Sequence, residues 1–408
     1  MVKKLGLSLV LASTLVYGAG YKIPEQSSDS LGLLASNVAW SFGADAAYFN
    51  PANMMFLDPR HHFEQNVGWF HISEVDFKAD DGKTYTSNNF DSLATTFNFV
   101  SPEYYANWRF GLALAVPAAL GMAWDDLKAA FTAKRFKLQV VELNPTLAYR
   151  ITDGLAVAAG VRGVYSKGRV ASDFGPRGQR DLTGDSIDFG YNVALTYRPI
   201  ENLSFSATYR SKVDLTVKGD AKSNFIDKRA NYNGKVRVEI PLPAQLVLAA
   251  AYNYQDFTLL LAYERTYWSK FKGYDFEYPD GKYKSNQLFI GLMDNPSERK
   301  YKDNNTYRLG LAYKATQKLR LMAGFTYDED VSDSKNTGFE LPNTTSRAYS
   351  LGLNYNVTDD LELGLGYVYQ DRSSKRAEGI PVEIGKTVSG EFKSTNIQIV
   401  GVGLKYKF

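Results

Sequence analysis

Apolar residues occupy every second position in many segments of this chain, and the residues between them are mostly polar or glycine. The clearest examples are 187–197, 307–313, 319–327, 349–355 and 361–369. A period of two gives a β-strand one apolar face and one polar face. Tyrosine stands at one or both ends of each apolar stripe, which is typical of the aromatic girdles of a transmembrane barrel.

The connections between these segments alternate between short and long. The short polar turns lie at 149–155, 197–203, 252–257, 313–319 and 355–361, and the long polar stretches lie at 170–185, 218–234, 271–304, 329–345 and 374–394. Outer-membrane barrels have short periplasmic turns and longer extracellular loops. The pattern therefore favours such a barrel over a soluble β-sandwich, which has no reason to alternate its loop lengths.

The pattern predicts an all-β fold, a 14-stranded antiparallel transmembrane β-barrel. The predicted strands are 62–77, 91–101, 107–118, 136–150, 154–169, 186–198, 202–217, 235–253, 256–270, 305–316, 318–329, 345–357, 360–373 and 395–408. An even number places both ends of the barrel on the periplasmic side. The last strand turns Val400, Val402, Leu404 and Tyr406 toward lipid and ends the chain on Phe408. A terminal aromatic residue on such a strand is what barrel-assembly machinery recognises, so we expect that machinery as a partner.

The first 58 residues do not alternate, and they divide into two parts. Lys3 and Lys4 precede an apolar run, 5–16, which is too short to cross a bilayer and fits a secretory signal. We therefore predict a signal peptide at 1–18. Residues 19–58 contain a predicted helical stretch, 27–42, and many apolar side chains that need burial. We interpret them as a small plug, or hatch, in the lumen rather than a free periplasmic tail, with the barrel at 59–408.

Composition narrows the function. The chain has 14% aromatic residues, 33 Gly and no Cys. The absence of Cys excludes thiol catalysis, thiolate metal sites and disulfides. A net charge of +3 is too balanced for a nucleic-acid partner. The three histidines, His61, His62 and His71, lie at the first strand without a serine-centred motif nearby. We therefore expect no enzyme, no bound metal and no cofactor.

Five short motifs occur in order along the chain. They are Ala19-Gly20-Tyr21 at the predicted mature start, Asn50-Pro51-Ala52 at the end of the hatch, 208–213 with Lys218-Gly219 in strand 7, Trp268-Ser269-Lys270-Phe271 after strand 9, and Tyr307-Arg308 opening strand 10. They resemble the motifs of the outer-membrane long-chain fatty acid transporter (FadL-type) family, which also includes aromatic-hydrocarbon importers. The resemblance implies a monomer in the cell outer membrane of a Gram-negative bacterium that takes up hydrophobic small molecules.

The resemblance also implies a route for the ligand. Extracellular loops capture it, the lumen binds it, the N-terminal residues of the plug move, and the ligand leaves sideways through a gap at a kink in strand 3. In this chain strand 3 contains Pro117, which cannot donate to a strand ladder and is expected only at an edge or a bulge. Ala118, Ala119 and Gly121 follow it, so the predicted lateral gate comprises these four residues. A simple bulge at the barrel rim is the alternative.

The resemblance places the ligand pocket beside Tyr21 and Ile23 of the plug. A fatty-acid carboxylate in an apolar lumen needs a cation, because an unpaired buried charge is costly. Strand parity points Arg162, Arg210 and Arg308 inward, and Arg162 and Arg308 enter the predicted pocket. The arginine that the family has beyond strand 5 is missing here, and the nearest cations are Arg169 and Lys167, of which Arg169 enters the predicted pocket.

The lysine that the family has before strand 10 is matched by Lys302, or alternatively by Arg299 or Lys300. The stretch 170–185, although longer than the periplasmic turns, is shorter than the corresponding loop of the family, which builds its capture groove from longer loops. The most direct prediction is a long-chain fatty acid transporter. An importer of uncharged aromatic hydrocarbons remains open, as does a polar-solute porin or an adhesin on the same barrel.

Overall fold

The computed structural model describes residues 20–104, 107–279, 286–294 and 297–408. Within these residues, fourteen antiparallel strands pair side by side around a closed barrel, and the last strand pairs with the first. The predicted fold class is therefore confirmed. The barrel strands are β1 (His62–Ile72), β2 (Phe90–Val100), β3 (Trp108–Met122), β4 (Arg135–Thr152), β5 (Leu155–Asp173), β6 (Gly178–Ile200), β7 (Leu203–Arg210, continued as Val213–Phe225), β8 (Asn233–Leu242, continued as Gln245–Tyr254), β9 (Phe257–Thr266), β10 (Asn304–Lys314), β11 (Leu319–Asp328), β12 (Ser346–Asn356), β13 (Leu361–Arg372) and β14 (Thr395–Lys407).

The alternation along each strand gives the barrel an exposed, apolar outer face and a buried inner face. On β14, Val400 is 37% exposed, Val402 54% and Leu404 38%, whereas Gly401 and Gly403 between them are buried. The outer residues form the lipid-facing surface, as the sequence pattern predicts. The predicted signal peptide, 1–18, lies outside the described residues. No helix among the described residues is long and apolar enough to cross a bilayer.

The strands extend further at the extracellular end than the pattern predicts. The stretch 170–185, expected to be a loop, is instead continuous ladder, because β5 and β6 stay paired up to Asp173 and Gln179. Strands that project beyond the bilayer do not need an apolar outer face, so the period-two signal disappears there. The predicted first strand, 62–77, is longer than the observed one, because β1 ends at Ile72.

The extracellular end carries a second, smaller sheet. The strands Asp76–Ala79, Thr84–Thr86, Lys375–Glu383 and Lys386–Phe392 form it. Phe77 and Phe392 of this sheet pack on Phe339, with ring centroids 5.0 and 5.7 Å away. A helix at Leu127–Ala133 joins β3 to β4 beside it. The loops thus form a packed cap over the barrel mouth.

The plug lies inside the barrel and is less helical than predicted. Its helices are α1 (Ser28–Leu33) and α2 (Ala46–Phe49), followed by a 3₁₀ turn at Pro51–Phe56. The predicted helix at 27–42 ends early because Leu34 and Ala35 adopt positive φ angles of 50° and 55°. Left-handed backbone does not continue a helix.

Glycines on the inner wall let α1 approach the barrel backbone closely. A Cβ atom on Gly401 of β14 would lie 2.2 Å from Leu31 Cδ1, and one on Gly366 of β13 would lie 2.5 Å from Leu31 Cβ. On β12, a Cβ on Gly352 would lie 2.7 Å from the Cα of Gly32. These strand glycines therefore serve close packing between the plug and the wall.

An ion pair joins α1 to the last strand of the barrel. Lys405 of β14 lies 2.5 Å from Asp29 Oδ2, and both side chains are buried. Asn354 of β12 donates to the other oxygen of Asp29 at 2.6 Å, and Glu362 of β13 lies 2.8 Å from Lys405. Buried charges need such partners because isolated ones are costly. The arrangement fixes α1 against β12–β14.

The hatch motif Asn50-Pro51-Ala52 caps the 3₁₀ turn. Asn50 Oδ1 accepts a hydrogen bond from Ala52 N at 3.2 Å, and Pro51 supplies a first position that has no N–H to satisfy. The amide of Asn50 donates to Val38 O at 2.7 Å and to Thr196 Oγ1 of β6 at 2.8 Å. The motif thus connects two parts of the plug to the barrel wall.

We expect Gly401→Val to displace α1, because the new side chain would overlap Leu31. Overpacking of this kind costs about 1–3 kcal/mol. Hydrogen–deuterium exchange of 28–33 should therefore increase. Gly163→Val on β5 is the matched control, because the nearest atom to its Cβ lies at 3.7 Å. Equal exchange in both variants would contradict close packing of α1 on β14.

Candidate functional site

The barrel wall is interrupted between β2 and β3. The two strands pair only where 97–100 of β2 meet 111–114 of β3. Beyond that point β3 shifts register against β4 between Ala115 and Ala118, and Pro117 lies within the shift. A proline has no N–H for the ladder. Strand β3 therefore separates from β2 at the position that the sequence predicts to be kinked.

Both faces of β3 are buried beyond the kink. Residues 115–122 lose the alternation of exposed and buried positions that the rest of the strand shows. The predicted gate residues Pro117, Ala118, Ala119 and Gly121 all belong to this stretch. Small side chains at these positions keep the wall thin where it bends inward.

The N-terminal segment of the plug pairs with the kinked part of β3. Ile23 N donates to Pro117 O and Ala119 N donates to Tyr21 O, both at 3.0 Å. These bonds flank an antiparallel bridge between Lys22 and Ala118. The segment thus satisfies backbone groups of β3 that β2 leaves unpaired.

Gln26 ties the two separated strands together. Its amide nitrogen donates to Val116 O at 2.9 Å, and its amide oxygen accepts from Val116 N at 2.8 Å. Thr96 Oγ1 of β2 donates to Gln26 O at 2.6 Å. A single plug residue therefore bridges the interruption. Sequence reasoning did not identify Gln26, because it lies in a segment without periodicity.

An internal cavity lies beside this contact. Its volume is about 80 Å³, and its lining includes Ile23, Pro117 and Arg308. Ligand pockets in proteins typically measure roughly 300–1,000 Å³. The cavity is therefore too small for a long hydrophobic ligand while the N-terminal segment occupies its present position. The structure is a closed one.

The cations of the lumen are held by buried carboxylates. Lys22 Nζ lies 2.5 Å from Glu264 Oε1, and Arg308 Nη1 lies 2.9 Å from Glu264 Oε2. Glu142 likewise binds two cations, Arg162 at 2.8 Å and Arg210. Glu264 and Glu142 therefore each hold two cations. The lining of the cavity contains three cations, Lys22, Arg210 and Arg308, and three carboxyl groups, Glu25, Glu264 and Asp328. The inward direction that parity gives for the three arginines agrees with their burial.

Glu25, a residue of the plug, also lines the cavity. Burial, with a smaller contribution from the nearby Asp328, raises the pKa of Glu25 to about 7 against the opposing effect of Arg308 and Lys22. Glu25 therefore changes its charge near neutral pH. The net charge around the cavity changes with it.

Aromatic side chains form a roof between the cavity and the extracellular cap. Tyr21 meets Trp268 edge to face, with ring centroids 4.8 Å apart, and its hydroxyl donates to Pro241 O. Phe271 packs on Tyr301 at 4.8 Å. Gly20 lies directly under Trp268, where a Cβ atom would come within 2.1 Å of the indole. The roof offers apolar surface immediately next to the N-terminal segment.

Four of the six predicted pocket residues face the lumen. Ile23 and Arg308 line the cavity, and Tyr21 belongs to the roof above it. Arg162 faces the lumen but is held by Glu142 and by the carbonyl of Ser211 at 2.5 Å.

Two predicted cations lie away from the cavity. Arg169 is on the outer face of β5, where it binds Asp181 with two hydrogen bonds of 3.0 and 2.5 Å. Lys302 is exposed ahead of β10. Arg162 and Arg169 are seven positions apart, so strict parity already places them on opposite faces of one strand. The same parity rule would have placed Glu264 inward on β9.

We expect the N-terminal segment to loosen as the pH rises. Because the pKa of Glu25 is raised from about 4.5 to about 7 in the seated segment, protonated Glu25 stabilises the seated position. This stabilisation is fully present below about pH 4.5 and is lost as the pH rises through about 7. Protection of 21–26 against deuterium exchange, relative to the intrinsic rate at each pH, should decrease over that range in the wild type and stay flat in Glu25→Gln. Asp45, whose pKa burial raises to about 6, is present in both proteins, so the difference isolates Glu25. Identical pH profiles would refute the assignment.

Comparison with known proteins gives a single family. The model of the family described as outer membrane protein transport protein (OMPP1/FadL/TodX) matches residues 9–408. Outer membrane protein P1 of Haemophilus influenzae Rd is 24% identical over 395 residues, which covers 83% of this chain and 83% of that protein. The long-chain fatty acid transport protein of Escherichia coli K12 is 22% identical over 394 residues, covering 83% and 84%.

Two solved structures share the fold. A Pseudomonas aeruginosa FadL homologue aligns with a TM-score of 0.85 at 17% identity and covers 96% of this chain and 100% of that one. The P. putida toluene transporter TodX aligns with a TM-score of 0.69 at 17% identity, covering 94% and 98%. Because the family model spans nearly the whole sequence, this chain belongs to the OMPP1/FadL/TodX family of outer-membrane proteins that transport hydrophobic molecules.

Proposed function

We propose that the protein imports long-chain fatty acids and releases them sideways into the outer membrane through the interruption between β2 and β3. The observation that carries the proposal is the contact of the N-terminal segment with the kink. Gln26 and 21–23 supply the hydrogen bonds that the wall lacks there. A ligand that displaces the segment therefore opens the wall as it binds.

The proposed route has three steps. A ligand first passes the extracellular cap and meets the aromatic roof around Trp268. It then takes the place of the N-terminal segment, which enlarges the cavity. A ligand can shift this equilibrium only through its higher affinity for the open state, and contact with the roof supplies that preference. Loss of the bonds to Val116 and Pro117 finally frees the gap for lateral exit.

The carboxylate of a fatty acid would bind the cations of the cavity. Lys22 and Arg308 converge on Glu264, and both cations line the cavity. When the segment moves, Lys22 leaves with it, and Arg308 stays on the wall. Arg308 is then the cation of the cavity that a ligand carboxylate would approach, which matters because an unpaired buried charge is costly. The relative from E. coli K12, a long-chain fatty acid transport protein, agrees with this choice.

An uncharged aromatic hydrocarbon is the alternative ligand. The observation that favours it is that Lys22, Arg210 and Arg308 all have carboxylate partners in the closed structure. An uncharged ligand would leave these pairs intact and use only the aromatic roof. The structural neighbour TodX is a toluene transporter.

Binding of four ligands distinguishes these possibilities. We expect palmitic acid to bind more tightly than its methyl ester or an alkylbenzene in native mass spectrometry, and a disaccharide not to bind. Arg308→Gln should weaken the binding of palmitate by about tenfold, equivalent to about 1.4 kcal/mol, and leave the binding of the methyl ester unchanged. Arg347→Gln, an exposed cation on β12, is the control. Equal affinity for acid, ester and alkylbenzene would instead support the hydrocarbon importer.

A disulfide between the plug and β3 tests the lateral gate. Lys22 and Ala118 are directly opposite, in a non-hydrogen-bonded antiparallel pair, where side chains come closest. The chain has no native Cys to interfere. We expect oxidised Lys22→Cys/Ala118→Cys to lose uptake of radiolabelled palmitate by whole cells and to recover it on reduction.

The control is Leu353→Cys/Leu365→Cys, which joins a pair of β12 and β13 that is already in register. Its oxidation should not change uptake. The reduced form of the test variant provides the baseline for the loss of Lys22. Full uptake by the oxidised Lys22→Cys/Ala118→Cys protein would exclude release through this part of the wall.

A further inference from the structure

Four cations cluster on the outer face of β4 and β5. Arg135 and Lys137 belong to β4, and Lys167 and Arg169 belong to β5. Lys137 stands directly opposite Arg169, and Lys167 is opposite Gln139, the next outward position of β4. Like charges opposite each other on adjacent strands are destabilising. The clustering therefore needs a reason outside the fold.

The cluster lies just beyond the lipid-facing belt. Toward the periplasm on the same strands, Val161 is 57% exposed and Leu143 is 49% exposed. Tyr165 then marks the level of the aromatic girdle. Lys167 lies two residues beyond Tyr165, about 7 Å along the strand, and Arg169 lies four residues beyond Tyr165, about 13 Å along the strand. This is the level of the lipid headgroups of the outer leaflet.

The charges of the cluster are only partly compensated. Arg169 binds Asp181 of β6. In the described part of the chain, Arg135, Lys137 and Lys167 form no ion pair within 4.0 Å, although Asp185 stands opposite Lys167 in the register. Three cations thus face outward without a bound anion.

Several outward cations elsewhere on the barrel have acidic partners. Arg265 of β9 lies 3.3 Å from Asp303. Lys212 lies 2.8 Å from Asp214, and Lys235 lies 2.7 Å from Asp220. Arg347 of β12 is exposed without a carboxylate within 4.0 Å in the described part of the chain, but it stands singly. What distinguishes β4 and β5 is that Arg135, Lys137 and Lys167 lie together.

An open groove adjoins the cluster on its extracellular side. It has a volume of about 410 Å³ and contains Arg135 and Arg169 in its lining. Three further cations line it, namely Lys134, Arg180 and Lys222, with the carboxylates of Asp125 and Asp181. Lys134 is paired with Asp173 at 2.6 Å, and Arg180 donates to the carbonyl oxygens of Leu292 and Met293. The groove is large enough for a phosphorylated sugar, and Arg135 and Lys222 have no such partner among the described residues to compete with a phosphate.

We propose that this face binds the phosphate-bearing headgroup of an outer-leaflet glycolipid. The acyl chains would lie along the apolar belt of β4–β6, and a phosphate would lie between Lys137 and Lys167. A phosphate monoester carries about −1.5 to −2 charges at neutral pH and is a strong acceptor for arginine and lysine. The site is on the outside of the barrel, so it does not depend on the transported ligand.

The test compares lipid retention by the purified wild type with that of Arg135→Gln/Lys137→Gln/Lys167→Gln. We expect native mass spectrometry to show saturable binding of lipid A by the wild type, and at least tenfold weaker binding by the variant. Phosphatidylethanolamine should bind neither protein specifically. Raising the salt concentration should weaken lipid A binding to the wild type, because exposed charges are screened.

The control is Lys212→Gln/Lys235→Gln/Arg347→Gln, which removes three outward cations elsewhere and should bind lipid A like the wild type. Unchanged electrophoretic heat-modifiability verifies that both variants are folded. Equal lipid A binding by the wild type and the test variant would overturn the proposal. So would complete displacement of lipid A by inorganic phosphate, which would show a phosphate site with no preference for a lipid.

Discussion

Backbone hydrogen bonding dominates this structure, because the bilayer core offers no water to satisfy an unpaired N–H or C=O group. A closed barrel meets that requirement by pairing each strand with two neighbours. The requirement fails locally where β3 leaves β2, since Pro117 cannot donate and the register shifts. The plug supplies the missing hydrogen bonds through its own backbone and through the side chain of Gln26. The wall is therefore complete only while the N-terminal segment occupies its place.

Charge in the lumen follows from the same absence of water. Glu264 and Glu142 each hold two cations, and Asp29 holds Lys405. Removing one member of a buried ion pair typically costs about 3–5 kcal/mol, because its partner is left uncompensated. Movement of Lys22 with the N-terminal segment leaves Glu264 paired with Arg308 alone. Glu25 is on the same segment, and because burial raises its pKa to about 7, release of the segment near neutral pH is accompanied by loss of its proton.

The sequence predicts the wall better than the lumen, for a physical reason. A period of two fixes the direction of every side chain on a strand, so the alternation on β14 and the burial of Arg308 followed directly from parity. The kink was also predictable, because proline breaks a ladder wherever it occurs. Parity does not apply to Gln26 or Lys302, which lie outside the barrel strands. Their positions depend on contacts between residues far apart in the chain, which no local pattern encodes.

The ion pair between Asp29 and Lys405 has a consequence for assembly. Its two residues are 376 positions apart, and α1 also packs on β12, β13 and β14, the last strands to be synthesised. Contacts of such long range form late, because loop closure has to be completed before they contribute. The full set of contacts of α1 therefore exists only once β12–β14 are in place. Lys405, the cation that holds Asp29, lies on the same strand that seals the barrel against β1, so the seating of the plug and the closure of the barrel depend on one strand.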